Sequence, residues 1–381
     1  MLFFKKNLFR KLVSIFFLVF VLISLYSTYS YFYLEQSVPY FVLLITGILY
    51  STLFLVIYYK EVVKPLKAIV VEMQALLTGN EFKSIYSTRI DEIGVIAYFF
   101  NQVIKSLGKV SFDIKDRKRM LEELNVASEI QRDILPLKNP SVKGLSIVAK
   151  NRSASEVGGD SFNIITTKDK VFIYVGDVTG HGVAAGLIMT MVNSLITVFA
   201  ELSESAYEII KNTNKHIKRH IKKAMFMTVV LLSWDIEKQK LTYVGAGHEY
   251  ILVYRQSIGK CEALKSGGIA LGMVPDNSKL IVEKEIILDD GDFVILYSDG
   301  ITEARNISEE LYGLDRLIAT VNNFAPDFNA EGLNYKIALD VSAFMKGHSQ
   351  DDDMTLIVIQ KLSDTINIAN IDTPTKWEGL T

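Results

Sequence analysis

Aspartates recur in this chain where apolar runs begin or stop. Val171-Phe-Ile-Tyr-Val-Gly runs into Asp177, Phe293-Val-Ile-Leu-Tyr-Ser runs into Asp299, Asp352-Asp353 opens Met354-Thr-Leu-Ile-Val-Ile, and Asp160 follows the pair Gly158-Gly159. Short apolar runs bounded in this way read as buried strands, so the acids sit at strand ends. Buried carboxylates on neighbouring strand ends repel one another and take up protons unless something cationic sits among them. A metal site is the economical reading. Oxygen ligands favour hard divalent ions, magnesium or manganese; with one cysteine and five histidines the chain offers no zinc cluster. Two such ions about 4 Å apart share a water, lower its pKa and aim it at a phosphorus atom.

Each piece alone has a plainer reading. Asp-Gly is the commonest hairpin turn, and Asp289-Asp290-Gly291 is read as one. For Asp299-Gly300 taken singly, turn and site weigh about equally. The ordered set shifts that balance: Glu156-Val-Gly-Gly-Asp160, Gly176-Asp177-Val-Thr-Gly-His-Gly182, Leu296-Tyr-Ser-Asp299-Gly-Ile-Thr-Glu-Ala-Arg-Asn306 and Asp352-Asp-Met-Thr-Leu356. Over residues 120–362 this set resembles the SpoIIE/RsbU-type branch of the PP2C (PPM) serine/threonine phosphatases. The resemblance implies an α+β fold, an α/β/β/α sandwich over residues 137–362, with two manganese or magnesium ions at one end of the sheets. It also implies hydrolysis of phosphoserine or phosphothreonine on a protein. By motif, Asp160 and Asp177 hold the metal pair with help from the backbone carbonyl of Val178, and Asp299 with Asp352 completes one ion's shell. Asp353 is the alternative to Asp352. No covalent phospho-enzyme forms in that family, and no nucleophile motif surrounds a serine or cysteine here.

The histidines divide by context. His181, between Gly180 and Gly182, occupies the position where distant members of that family carry a proposed general acid for the leaving oxygen; ordering of the metal loop by hydrogen bonding is the equal alternative. Residues 184–200 after it are apolar on most faces and are expected to form a buried core helix. His248, in Gly245-Ala-Gly-His248, is expected to be a buried histidine with its hydrogen bonds satisfied. His216 and His220, one helical turn apart, stand among Lys215, Lys218, Arg219, Lys222 and Lys223, which reads as a solvated basic face. Two departures from the family pattern stand out. Ser161-Phe162-Asn163 replaces a Phe-Tyr-Asp or Tyr-Tyr-Asp sequence, and Glu249-Tyr250 replaces Asn-Pro. The first is expected to alter support around the metal ligands.

These groups need elements to position them. Residues 1–59 are apolar and aromatic, whereas the chain beyond has the mixed charge of a soluble protein. Uncharged runs at about 12–33 and 39–59 are each long enough for a membrane span of ~20 residues. Lys5, Lys6, Arg10 and Lys11 precede the first, Lys60, Lys64 and Lys67 follow the second, and the connection Leu34-Glu35-Gln36-Ser37-Val38 carries only an acid. The positive-inside rule then puts both ends, and the catalytic part, on the cytoplasmic side of an inner or plasma membrane. That connection is too short for a ligand-binding domain.

Val62, Leu66, Ile69, Met73 and Leu76 recur at coiled-coil spacing, with Pro65 in the first turn. After a polar connector, Ile96, Phe100, Val103, Leu107 and Val110 repeat it. With Asp91-Glu92-Ile93-Gly94 opening the second stretch ahead of Phe100-Asn101, residues 60–110 resemble a HAMP domain. Two such helices need partners for their seams, so a parallel homodimer is inferred. A linker helix over 111–136 follows through Met120, Leu124, Ala127 and Ile134 and stops at Pro136; residues 363–381 read as a disordered tail.

The whole-chain charge of −2 gives no hint of nucleic acid as a partner, and Cys261, having no second cysteine, is assigned to packing. The leading reading is an active phosphatase acting on a phosphorylated STAS-domain antagonist of an anti-sigma factor. The alternative is an inactive, membrane-tethered docking platform, against which all four carboxylates and His181 argue. A nucleotide cyclase or histidine kinase would need a phosphate-cradling glycine loop or a phospho-acceptor helix, and the chain has neither.

Overall fold

The run Val171-Phe-Ile-Tyr-Val is uninterrupted by polar residues because it is buried on both faces. In the computed structural model it forms β3 (Lys170–Val178), which turns Val171, Ile173 and Val175 to one apolar cluster and Phe172 and Tyr174 to another. Alternation of side chains along a strand makes this possible. The structure describes residues 8–33, 40–85, 88–136, 138–221 and 224–363. Lys5, Lys6, the connection 34–38, Lys222, Lys223 and the tail from 364 onward lie outside them. The chain divides into two compact units, Met1–Arg119 and Met120–Thr381.

In the first unit, α1 (Leu8–Tyr33) and α2 (Tyr40–Tyr58) pair through Phe16, whose ring lies 5.2 Å from Tyr50 and 5.8 Å from Phe54. A π-helical turn, Tyr59–Val63, leads into α3 (Lys64–Leu77) with Pro65 in its first turn. The π-turn runs into α3 without a break, the Lys64 N–H reaching the Tyr59 carbonyl, and this wide turn accommodates a residue with no amide N–H to give. The following helix, α4, is continuous from Glu92 to Ile134, so the second heptad stretch and the linker helix form one element. Its start is fixed by Asp91, whose Oδ1 accepts the Gly94 N–H at 3.2 Å and whose carboxylate holds the Arg89 fork; Arg89 also reaches Glu61 at 3.3 Å. Asn101 clamps the connector, donating to the Ile85 carbonyl and accepting its N–H. Ile69, Ile93 and Ala97 form a small core, whereas Leu66, Met73, Ile96, Leu107 and Val110 stay exposed along the expected seam.

The second unit begins within α4, which ends just ahead of Pro136 as expected. Two antiparallel five-stranded sheets follow. One has the order β1 (Leu145–Arg152), β10 (Met354–Lys361), β9 (Phe293–Tyr297), β6 (Tyr250–Arg255), β7 (Lys260–Lys265). The other has the order β2 (Ser161–Thr166), β3, β4 (Met227–Asp235), β5 (Lys240–Ala246), β8 (Glu283–Ile286). Phe162, Val171, Ile173 and Trp234 from the second meet Ile147, Ile251, Val294 and Ile357 from the first, and each such buried side chain contributes roughly 1.5–3 kcal/mol. Outside the second sheet lie α5 (Val183–Leu202) and α6 (Ala206–Ile217); the short α7 (Asp299–Thr302), α8 (Leu314–Phe324) and α9 (Ala330–Met345) complete the layer on the first. This is the expected α/β/β/α sandwich.

Among the described residues, the one helix with the length and apolar content of a membrane span is α5, which packs its face of Ala185, Met189, Val192 and Ile196 into the core; α1 carries a shorter apolar stretch, Ser14–Ser30. The turn at Asp289-Asp290-Gly291 exists, with Asp292 N–H bonded to the Asp289 carbonyl, but it is no hairpin. It passes from β8, paired with β5, to β9, paired with β6 and β10, so it joins the two sheets.

Candidate metal centre

The four motif acids come from four separate stretches of chain, and the sandwich brings them to one end. Asp160 precedes β2, Asp177 lies one residue before the end of β3, Asp299 opens α7 just after β9, and Asp352 precedes β10. Asp160 is buried; its Oδ2 accepts the Ser298 hydroxyl at 2.7 Å and the Thr355 hydroxyl at 2.5 Å. Asp177 and Asp299 are half-buried, and Asp352 is exposed.

Their electrostatics report proximity. Burial first, then the charges of Asp177 and Asp353, raises the Asp160 carboxyl well above the usual carboxylate range. Burial, followed by Asp299, Asp352 and Asp353, pushes Asp177 up to about 8. Burial, then Asp352, Glu303 and Glu249, pushes Asp299 up to about 6. Partial desolvation by its neighbours, then the charge of Asp353, raises exposed Asp352, and the neighbouring His181 acts in the opposite sense. Among the leading influences on these four, within the described residues, His181 is the only basic group. Among the described residues no three His, Cys, Asp or Glu side chains are closed round a common point as a metal shell.

Asp353 is placed differently. Its Oδ1 accepts the Ala154 N–H at 2.7 Å, and its Oδ2 accepts those of Gly159 at 2.7 Å and Asp160 at 3.3 Å. Those oxygens fasten the loop that carries Asp160. The motif glycines make the fastening possible. A Cβ on Gly158 would lie 2.3 Å from Asp353 Oδ2, and one on Gly300 would lie 2.0 Å from the Asp353 carbonyl. A Cβ on Gly159 would meet the Val178 carbonyl at 3.2 Å and Asp177 Oδ1 at 3.3 Å, so that carbonyl and that carboxylate face the same spot.

Sequence reasoning missed several supports. Ser298 and Thr355, each inside a quoted motif, hold Asp160. Thr179 exchanges hydrogen bonds with the Phe226 backbone and so anchors the loop that presents exposed His181. Gln131, near the end of α4, donates to the Gly158 carbonyl at 2.7 Å and accepts the Gly158 N–H at 3.1 Å. Asn163 donates to Asn193 on α5 at 3.0 Å. Asn193 also accepts from Tyr174 and donates to the Ile134 carbonyl.

The remaining histidines part company. His248 is buried, but its Nε2 has no hydrogen-bond partner among the described residues, which corrects the expectation of a satisfied side chain. Its ring edge meets Tyr297 in an apolar setting, and desolvation lowers its pKa to about 4, so it stays neutral. His216 and His220 are exposed beside Lys215 and Arg219; Lys218 turns inward to donate to the Gly272 and Met273 carbonyls. Cys261 is buried in packing, its thiol pushed up to about 12 by burial.

The family described as Stage II sporulation protein E (SpoIIE) matches residues 167–361, just over half of the chain. The chain belongs to the SpoIIE family. Protein IcfG of Synechocystis is 30% identical to this family member over 356 residues, 84% of this chain and 54% of its own length. Phosphoserine phosphatase RsbU of Bacillus subtilis is 28% identical over 189 residues, 50% of this chain and 56% of its own. The chain thus spans about half the length of the curated relatives it matches. Among solved structures, the SiaA-PP2C domain of Pseudomonas aeruginosa aligns with TM-score 0.54 at 23% identity, covering 65% of this chain and 98% of that one. The RsbU and RsbW domains of a Mycobacterium tuberculosis protein align with TM-score 0.52 at 22% identity, over 61% and 64%. Both share the fold of this SpoIIE-family sandwich.

Proposed function

We propose that this chain is a membrane-anchored, metal-dependent protein serine/threonine phosphatase. The observation that carries the reading is the convergence of Asp160, Asp177, Asp299 and Asp352 from four segments, with raised pKa values that a divalent cation would reverse. The donor set is all oxygen, which fits manganese or magnesium. Asp160, Asp177, the Val178 carbonyl, Asp299 and Asp352 would hold two ions, which when bound supply a water of lowered pKa facing phosphorus. Asp353 secures the Asp160 loop. Exposed His181, beside Asp352, is placed to give a proton to the departing serine or threonine oxygen.

The relatives named phosphoserine phosphatase support a phosphoserine protein as substrate, and a STAS-type regulator of a partner-switching pathway is the substrate class we assign. Exposed Phe17, Leu18, Phe20, Leu55 and Val56 support membrane crossings by α1 and α2. The exposed seam of α3 and α4 supports a parallel dimer through a HAMP-like segment.

The test is phosphate release from a phosphoserine peptide by the full chain in mild detergent, with manganese, magnesium or chelator. Release requires metal, and Asp299→Asn lowers it about 100-fold or more. Release indifferent to both metal and this substitution removes the reading.

A further inference from the structure

A cavity of about 430 Å³ opens between the C-terminal part of α9 and the loop 346–353 that leads into Asp352. That volume lies in the range of small-ligand pockets. Leu339, Val341, Met345 and Met354 form its apolar wall, Arg152 and Lys346 its basic edge, and no acid from the described residues lines it. Gln350 closes one side, its Nε2 donating at 2.8 Å to the Arg152 carbonyl and at 2.8 Å to the Asp352 carbonyl. The cavity and the acid loop therefore share a wall. Two residues of extended chain span at most ~7 Å, so Gln350 and Met354, which flank Asp352 and Asp353, bring the cavity close to the acids. His348 also lines it but is matched by Glu309 at 3.6 Å and Asp351 at 3.7 Å. Lys346 stands exposed at the mouth.

A protein substrate presents its phosphoserine within a chain, and the flanking residues must lie against the enzyme. We propose, resting on the phosphatase reading, that this cavity docks the segment next to the phosphoserine. It takes an apolar side chain against Met345 and Met354, with an acidic neighbour at Lys346. An apolar wall with a cationic edge fits that pairing and repels a basic segment. Small phosphoesters have no flanking residues and do not engage it.

The test uses the full chain in mild detergent with manganese and three substrates. These are p-nitrophenyl phosphate, a peptide with leucine and glutamate beside phosphoserine, and the same peptide with glycine and lysine there. The unaltered protein favours the leucine–glutamate peptide by about tenfold in kcat/KM. Lys346→Glu and, by filling the mouth, Ala343→Trp each abolish that preference through KM, while p-nitrophenyl phosphate turnover stays within about twofold. The docking proposal is overturned if the unaltered protein treats the two peptides alike, if the variants keep the preference, or if all three substrates are lost equally. No metal-dependent release from p-nitrophenyl phosphate by the unaltered protein instead removes the phosphatase reading, and docking with it.

Discussion

Asp352 and Asp353 are neighbours in the chain with opposite surroundings, and substitution should separate them. Asp353 is buried and accepts three backbone N–H groups, so Asp353→Ala leaves those donors without their acceptor. We expect a loss of about 2–4 kcal/mol in urea unfolding, with activity falling in consequence. Asp352 is exposed and adds repulsion to Asp177 and Asp299. Asp352→Ala should leave stability within about 1 kcal/mol of the unaltered protein and still lower metal-dependent release about 100-fold. Equal destabilisation by both would mean that the two carboxylates share one role.

Between elements, polar side chains fix the joints that apolar packing leaves loose. Gln131 pairs with both polar groups of the Gly158 peptide, which ties the end of α4 to the loop that carries Asp160. Gln131→Ala frees that loop, and the manganese concentration for half-maximal activity should rise several-fold while release at saturating manganese recovers. Unchanged metal dependence would show that the pair is only packing. At the opposite layer, Asp340 on α9 receives a two-point bond from Arg316 on α8 and further bonds from Tyr312 and Thr320. The Arg316 bond above all holds the Asp340 carboxyl below its usual range. A depressed folded pKa stabilises above the unfolded value of 3.8, and that stabilisation is lost as pH falls through the folded value. Allowing for partial exposure, Asp340→Asn should cost about 1–2 kcal/mol at pH 7, a difference that shrinks in acid unfolding curves as pH falls below 3.8.

At the scale of the whole molecule, the exposed seam residues predict self-association. Leu66, Met73, Ile96, Leu107 and Val110 are apolar at coiled-coil spacing and uncovered in a single chain. Light scattering of the full chain in mild detergent should give a dimer, and Leu107→Asp should give a monomer. A monomeric unaltered protein at micromolar concentration would remove the dimer.

Features that could be read directly from the chain follow from local chemistry. Strand runs such as 171–175, the stop of α4 before Pro136 and the four acidic motifs are legible because periodicity, proline geometry and motif order are properties of neighbouring residues. The α/β/β/α sandwich was legible through resemblance, and the packing of β3 on both faces gives its physical reason. Other features belonged to tertiary structure alone. Nothing local tells that Asp353 serves the loop of Asp160, that Gln131 meets Gly158, or that His248 is buried without a partner for Nε2 among the described residues, because each depends on contacts between segments far apart in the chain. The turn at residues 289–291 makes the same point. Its dipeptide chemistry permits a hairpin, and only the pairing of β8 with β5 and of β9 with β10 sends the chain from one sheet to the other.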